Sequence, residues 1–110
     1  MPSLQRMKEI TPNELKLKLD ANEEVQIIDV REPYEANICE IGGLLIPMSE
    51  VMMNLNQIRK DVDVIVHCRS GGRSGAIVQA LERKGYNNLI NLKGGILAWA
   101  DQVDTTLEKY

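Results

Sequence analysis

Four short apolar runs, rich in Val, Ile and Leu, recur along the chain between more polar segments. They are Val25–Val30, Leu44–Ile46, Val64–His67 and Leu89–Leu92. Each run is predicted to form a strand, and a short first strand is predicted at Met7–Ile10. The apolar residues are almost unbroken rather than alternating, which is typical of strands buried on both faces of a parallel sheet.

The segments between these runs carry helix signals. The first helix is predicted to begin at Thr11, which can cap it, with Pro12 in the first turn and Glu14 completing a capping box. It is predicted to end near Asp20. The other expectations are helices over Glu50–Arg59 and Arg73–Lys84, a short helix around Ile96–Ala100, and a loop with at most one helical turn over Arg31–Glu40.

The alternation of strands and helices predicts an α/β fold. We expect a single domain over residues 1–110, with a mainly parallel central sheet covered by helices. In such sheets ligands bind at the carboxyl ends of the strands. Cys68 directly follows the strand Val64–His67, so this cysteine is expected at the binding edge.

The composition narrows the class of protein. Hydrophobic residues make up 44% of the 110 residues and charged residues 26%, a soluble globular balance. No apolar run could cross a bilayer, and Met1–Met7 lacks the apolar core of a secretory signal, so we expect a cytoplasmic protein without membrane contact. A net charge of −3 and 4% aromatic residues give little support for nucleic-acid binding.

Metal and nucleotide sites find no support in the sequence either. One histidine and two widely separated cysteines do not make a zinc site. The chain also lacks a dinucleotide-binding fingerprint. Neither a metal nor another cofactor is therefore expected.

The loop that follows the strand Val64–His67 carries the candidate chemistry. Gly71 and Gly72 allow the backbone to curl so that successive N–H groups face one point. The helix that follows adds free N–H groups and the positive end of its dipole, and Arg69 and Arg73 add two cations. These groups favour a thiolate at Cys68, which is the nucleophilic form. The alternative, an inert core thiol, would need none of them.

The loop Cys68–Ser74 resembles the active-site loop of rhodanese-like sulfurtransferases. Three further segments resemble signatures of the same family in the same order: Ile28–Pro33 with Glu35, Ile41–Pro47, and Leu92–Gly95 with Trp99. Together they span nearly the whole chain. The resemblance implies a single rhodanese-like domain, with a mainly parallel five-stranded sheet and helices on both faces.

The resemblance also implies a two-step reaction. The Cys68 thiolate would take a sulfane sulfur from a donor such as thiosulfate, and a thiol or cyanide would then remove it from the persulfide. The implied substrate-binding residues are Arg69, Ser70, Gly71, Gly72, Arg73 and Ser74. The loop N–H groups would hold the outer sulfur, and the two arginines would hold the leaving anion of the donor.

One segment departs from the family pattern. Cys39 and Glu40 stand where many members have a Gly-His pair. Some members fused to ubiquitin-activating-like enzymes show a similar Ile-Cys pattern, as in Ile38-Cys39 here. That likeness suggests a sulfur-accepting carrier protein as a partner.

Several residues near the motifs allow two interpretations. For His67 we favour a buried structural role over a proton relay, because side chains alternate along a strand. For Cys39 we favour burial over a resolving thiol that would pair with Cys68. For Asp29 and Arg31 we favour a structural ion pair over a substrate contact. The hydroxyl groups of the two loop serines either bind sulfur species or cap the helix.

Other functions remain open on the sequence alone. A cysteine phosphatase also places a Cys–Arg loop between a strand and a helix, but with the arginine six residues after the cysteine. Here Arg73 follows Cys68 by five, a shorter loop that suits one sulfur atom better than a phosphate. A persulfide relay loaded by a protein partner and a non-catalytic binding module are the remaining alternatives.

Overall fold

The computed structural model describes residues 7–110. Residues 1–6, which belong to the segment where no secretory signal is expected, lie outside the described residues. Five strands form one sheet: β1 (Glu9–Ile10), β2 (Val25–Asp29), β3 (Leu44–Leu45), β4 (Asp63–His67) and β5 (Leu89–Leu92). Their order is β1-β5-β4-β2-β3, and all four neighbouring pairs are parallel. The predicted α/β class is confirmed, with an entirely parallel sheet.

Between residues 7 and 110, four α-helices connect or follow the strands: α1 (Pro12–Asp20), α2 (Pro33–Ile38), α3 (Gly72–Glu82) and α4 (Gly95–Gln102). The predicted capping box of α1 is confirmed. The Glu14 N–H donates to Thr11 Oγ1 at 3.1 Å, and the Thr11 N–H donates to Glu14 Oε1 at 2.9 Å. Within residues 7–110, no helix is long and apolar enough to span a membrane.

The prediction of an α-helix over Glu50–Arg59 is wrong. Two short 3₁₀ helices, Met48–Met53 and Leu55–Gln57, occupy this region. The side chain of Asn54 explains the break, because its Nδ2 donates to the Glu50 carbonyl at 2.8 Å. In an α-helix that carbonyl would accept from the backbone N–H of Asn54, which bonds instead to the Val51 carbonyl at 3.0 Å.

The segment after β2 is more helical than the sequence indicated. Residues 33–38 form α2, where at most one turn was expected. Pro33 opens the helix, and the Glu35 carboxylate accepts a hydrogen bond from the Glu32 N–H at 2.9 Å. This contact satisfies a donor at the start of α2, which stabilises a helix this short.

Helices cover both faces of the sheet. One face packs against α3 and the 3₁₀ helices in a cluster that includes Val64, Val66 and Cys68 of the central strand and its extension. The other face packs against α1 and α4, around Ile65 and Trp99. Successive residues of β4 therefore enter opposite cores, which explains why the strand is an unbroken apolar run.

Candidate active site

Cys68 lies at the carboxyl end of β4, the middle strand of the sheet, and the loop that follows encloses its sulfur. The loop turns at Gly71, whose φ of +110° is a left-handed conformation that glycine adopts without a steric penalty. The Gly71 N–H donates to Cys68 Sγ at 3.1 Å. Ser74, in the first turn of α3, places its N–H and its Oγ each 3.4 Å from Sγ. The cysteine is only 1% exposed.

This environment favours the ionised thiol. Burial raises the pKa of the Cys68 thiol. Hydrogen bonds from the Ser74 hydroxyl and from the N–H groups of Ser74, Gly71 and Ser70 lower this pKa by more than burial raises it, so the net pKa is below its ordinary value. The positive end of the α3 dipole acts in the same direction. The predicted site residues Cys68, Ser70, Gly71 and Ser74 are thus brought together around one sulfur atom.

Arg73 is already engaged by a carboxylate. Its Nη1 and Nη2 donate to Glu35 Oε2 and Oε1, each at 2.8 Å. Glu35 is 3% exposed, and the Arg73 guanidinium is the main cause that lowers the pKa of this carboxyl to about 2. The same pairing raises the pKa of Arg73. The charge of Arg73 is therefore paired within the chain.

Arg69 and Gly72 lie on the exposed side of the loop. The Arg69 guanidinium lies 5.1 Å from the centre of the Tyr110 ring and donates from Nε to the Tyr110 main-chain oxygen at 2.6 Å. Tyr110 in turn donates from its hydroxyl to Glu35 Oε1 at 2.8 Å. Within the described part of the chain, the donors to Cys68 Sγ belong to Ser70, Gly71 and Ser74 and not to either arginine.

Comparison with known proteins assigns the chain to a family. The family described as Rhodanese-like domain matches residues 11–102, a range that includes the whole Cys68 loop and four of the five strands. The chain belongs to the rhodanese-like family. This result confirms the resemblance carried by the sequence motifs.

Relatives and solved structures agree with this assignment. A sulfurtransferase of Allochromatium vinosum is 39% identical over 93 residues, which cover 84% of this chain and 87% of that protein. A probable adenylyltransferase/sulfurtransferase of Mycobacterium tuberculosis is 36% identical over 104 residues. The match covers 92% of this rhodanese-like chain but spans only 26% of that relative's length. The crystal structure of a rhodanese-like domain protein from Staphylococcus aureus is similar with a TM-score of 0.81 at 39% identity, covering 94% of this chain and 99% of that one.

Both of these relatives are named as sulfurtransferases. Neither name identifies a sulfur donor or a sulfur acceptor. Those finer assignments depend on the site itself.

The predicted ion pair between Asp29 and Arg31 is confirmed as a structural brace. Arg31 is 0% exposed, and its Nη2 lies 2.7 Å from Asp29 Oδ2. The same guanidinium donates to the carbonyl oxygens of Cys39 at 2.8 Å and Glu35 at 3.3 Å. It thereby ties the end of β2 to both ends of α2.

His67 and Cys39 are both buried, as favoured from the sequence. His67 is 0% exposed, and burial lowers the pKa of its imidazole. Its Nε2 lies 3.9 Å from Asp29 Oδ2 and has no hydrogen-bond partner among the residues that the structure describes. Cys39 is 8% exposed, and both cysteines are free thiols.

The sequence analysis missed Asn91, a polar residue on β5. It is 2% exposed and lies on the same face of the sheet as Cys68. Its Nδ2 donates to the Gly71 carbonyl at 3.2 Å, and its Oδ1 accepts from Ser74 Oγ at 2.5 Å. The available signal was an asparagine inside the apolar run Leu89–Leu92, since a buried amide must find partners.

Gly95, at the start of α4, packs closely against the Cys68 loop. With φ at +63°, it lets the start of α4 approach so closely that a Cβ would clash with the carbonyl groups of Cys68 and Arg69. The Ile96 N–H donates to the Cys68 carbonyl at 3.0 Å, and the Leu97 N–H donates to the Arg69 carbonyl at 3.1 Å. The carbonyls of Cys68 and Arg69 are therefore hydrogen-bonded to the start of α4.

Proposed function

We propose that this chain is a sulfurtransferase that carries a sulfane sulfur as a persulfide on Cys68. The observation that carries the proposal is the set of loop donors around Cys68 Sγ, with the Gly71 N–H at 3.1 Å as the shortest. Several hydrogen-bond donors stabilise a buried sulfur as an anion. In the proposed reaction Cys68 Sγ is a thiolate before the sulfane sulfur is loaded and again when that sulfur is released.

In the first step, the Cys68 thiolate attacks the outer sulfur of the donor. With thiosulfate, a new S–S bond forms to Cys68 Sγ, and the bond between the outer sulfur and the sulfonate sulfur breaks. Sulfite leaves with the electron pair of that bond. In the second step, a thiolate or cyanide attacks the outer sulfur, and Cys68 leaves as a thiolate that the same donors stabilise.

The outer sulfur of the persulfide also requires donors, since it carries the negative charge. The proposal assigns this task to the exposed side of the loop, where Ser70 and Gly72 lie beside Gly71. Backbone N–H groups at the start of α3 are suited to an anion of this size. Arg69 and Arg73 are proposed to hold the leaving anion of the donor, in competition with their partners Tyr110 and Glu35.

A persulfide relay loaded by a protein partner is the second candidate. It is favoured by one observation, which is that both arginines already have partners inside the chain. An anionic donor such as thiosulfate would have to displace those contacts, whereas a protein persulfide brings no sulfonate to bind. Three further points are proposed for both candidates. They are a carrier protein that accepts the sulfur, a cytoplasmic location and a single domain over residues 1–110.

Intact mass after a brief incubation with thiosulfate tests the function. We expect the protein to gain one sulfur atom, the gain to be removed by reductant, and the Cys68→Ser variant to show none. Cys39→Ser is the matched control, because it removes the other buried thiol and should still be loaded.

A parallel incubation with a low-molecular-weight persulfide separates the two candidates. If the low-molecular-weight persulfide loads the protein and thiosulfate does not, the persulfide relay is favoured over a sulfurtransferase that uses thiosulfate. Equal loading of wild type and Cys68→Ser, or no loading by either donor, would contradict the assignment of Cys68.

A further inference from the structure

Both polar atoms of the Asn91 side-chain amide form hydrogen bonds to the loop Cys68–Ser74. A buried amide without partners is destabilising, so its contacts show where its hydrogen-bonding capacity is directed. The Nδ2 group meets the Gly71 carbonyl at 3.2 Å, and Oδ1 meets Ser74 Oγ at 2.5 Å. The Gly71 carbonyl also accepts from the Gly75 N–H at 3.0 Å and lies 3.3 Å from Ser74 Oγ. The contact with Asn91 Oδ1 is therefore the shortest that the Ser74 hydroxyl makes.

The hydroxyl of Ser74 has one proton and more than one acceptor. It can donate to Asn91 Oδ1 at 2.5 Å, to the Gly71 carbonyl at 3.3 Å or to Cys68 Sγ at 3.4 Å, but its single proton cannot serve all three at once. The shortest distance favours Asn91 while the sulfur is neutral. An ionised sulfur is a stronger acceptor, because hydrogen bonds to charged groups are stronger than those between neutral groups.

We propose that Asn91 is a positioning residue that sets the direction of the Ser74 hydroxyl, and thereby how strongly Ser74 stabilises the Cys68 thiolate. The proposal rests on the proposed function in taking Cys68 as the reacting sulfur. When the persulfide forms, Sγ becomes a neutral sulfur and the hydroxyl donates to Asn91. When Cys68 leaves as a thiolate, the hydroxyl turns to Sγ. Asn91 thus gives the buried hydroxyl an acceptor in the state in which the sulfur offers a weak one.

A double-mutant cycle between Asn91 and Ser74 tests the coupling. The readout is the rate at which iodoacetamide alkylates Cys68 as a function of pH, with the modified residue identified by peptide mass mapping to separate it from Cys39. In wild type, Ser74→Ala is expected to slow alkylation near neutral pH by no more than about threefold, because Asn91 holds the proton for part of the time. In the Asn91→Leu background the hydroxyl has lost its shortest acceptor, and the remaining oxygen, the Gly71 carbonyl, already accepts from the Gly75 N–H. Ser74→Ala is therefore expected to slow alkylation by about tenfold in that background.

Two further variants show whether the effect belongs to the acceptor at position 91. Asn91→Asp keeps an oxygen that can accept from Ser74, so the effect of Ser74→Ala should remain as small as in wild type. Its carboxylate should also move the Cys68 alkylation profile to higher pH. Asn88→Leu is the matched control, because Asn88 also holds backbone carbonyls, those of Arg59 at 2.8 Å and Val62 at 2.7 Å, without contacting the loop. It should lower the melting temperature and leave the effect of Ser74→Ala unchanged.

Additive effects of Asn91→Leu and Ser74→Ala would overturn the proposal and leave Asn91 with a packing role like that of Asn88. If Asn91→Leu does not fold, a Ser74→Ala effect of about tenfold in the Asn91→Asp background would overturn it independently. Alkylation measures the thiol and needs no sulfur donor. The coupling can therefore hold even if sulfur loading fails, and the two failures are distinguishable.

Discussion

Two regions at the carboxyl edge of the sheet hold a buried anionic group by different means. The sulfur of Cys68 is surrounded by neutral donors, most of them backbone N–H groups. The carboxylate of Glu35 is held by a cation, Arg73, in addition to two neutral donors, the hydroxyl of Tyr110 and the N–H of Glu32. Both groups are almost fully buried, at 1% and 3% exposure.

The difference suits the two regions to different tasks. Neutral donors on a fixed backbone favour a thiolate without forming a permanent ion pair with it, so the sulfur can still take up and release a sulfur atom. An ion pair between side chains locks two elements together, and here it joins α2 to α3. The charged region consists of the Arg73–Glu35 pair, Tyr110 and the Asp29–Arg31 pair, whose arginine donates to the Tyr110 hydroxyl. We therefore expect substitutions that remove its carboxylates to change stability, and substitutions around the Cys68 sulfur to change its reactivity.

Asp29→Asn should give the largest change in stability. It removes the charged partner of the fully buried Arg31, and breaking a buried ion pair typically costs about 3–5 kcal/mol, because the remaining charge stays desolvated. Urea denaturation measures the loss. Glu24→Gln is the control, because it removes an exposed contact to Arg59 and should cost less than about 1 kcal/mol. Similar losses in the two variants would show that Arg31 does not brace the fold.

Glu35→Gln should change how stability depends on pH. The carboxyl of Glu35 has its pKa lowered from 4.5 to about 2 in the folded protein, so its ionised form stabilises the fold. That contribution is fully present above about pH 4.5 and is lost as the pH falls through about 2. The difference in unfolding free energy between wild type and Glu35→Gln should therefore be constant above pH 4.5 and shrink below it.

Chemical denaturation at a series of pH values between 2 and 7 provides this measurement, with the lower limit set by the pKa of Glu35. Glu40→Gln serves as the control, because Glu40 is exposed. If the difference in unfolding free energy between wild type and Glu35→Gln stays constant down to the pKa of Glu35, the ionised Glu35 carboxylate does not stabilise the fold through Arg73.

The two regions also differ in how far the sequence predicts them. The residues around the sulfur lie within the segment Cys68–Ser74, so one local motif of glycines, serines and a strand end was enough to predict their arrangement. The contact of Arg73 with Glu35 joins residues 38 positions apart, and that of Asn91 with Ser74 spans 17. Contacts of this kind depend on how the helices and strands pack, which a local pattern does not contain.

The prediction of a helix over Glu50–Arg59 failed for a local reason. The apolar spacing of Val51, Leu55 and Ile58 fits an α-helix, but the side chain of Asn54 takes the carbonyl that the helix would need. The strands β2, β4 and β5 were easier to predict because each lies in a short apolar run, which leaves few alternatives. The sequence thus predicted the sheet, the thiol loop and the Asp29–Arg31 pair, and it left the Arg73–Glu35 pair and Asn91 to be found in the structure.

Tyr110→Phe should have the smallest effect, and it tests whether the two regions are separate. The hydroxyl of Tyr110 donates to Glu35 and accepts from Arg31 Nη1 at 3.0 Å, while the ring lies beside Arg69. Phenylalanine keeps the ring and removes the hydroxyl, so the loss of stability should be about 1–2 kcal/mol, the net value of two hydrogen bonds. Because the hydroxyl does not touch Cys68 Sγ, the rate of Cys68 alkylation should stay unchanged. A change in that rate comparable with the effect of Ser74→Ala would show that the charged region controls the thiolate, and the division between a structural and a chemical region would have to be abandoned.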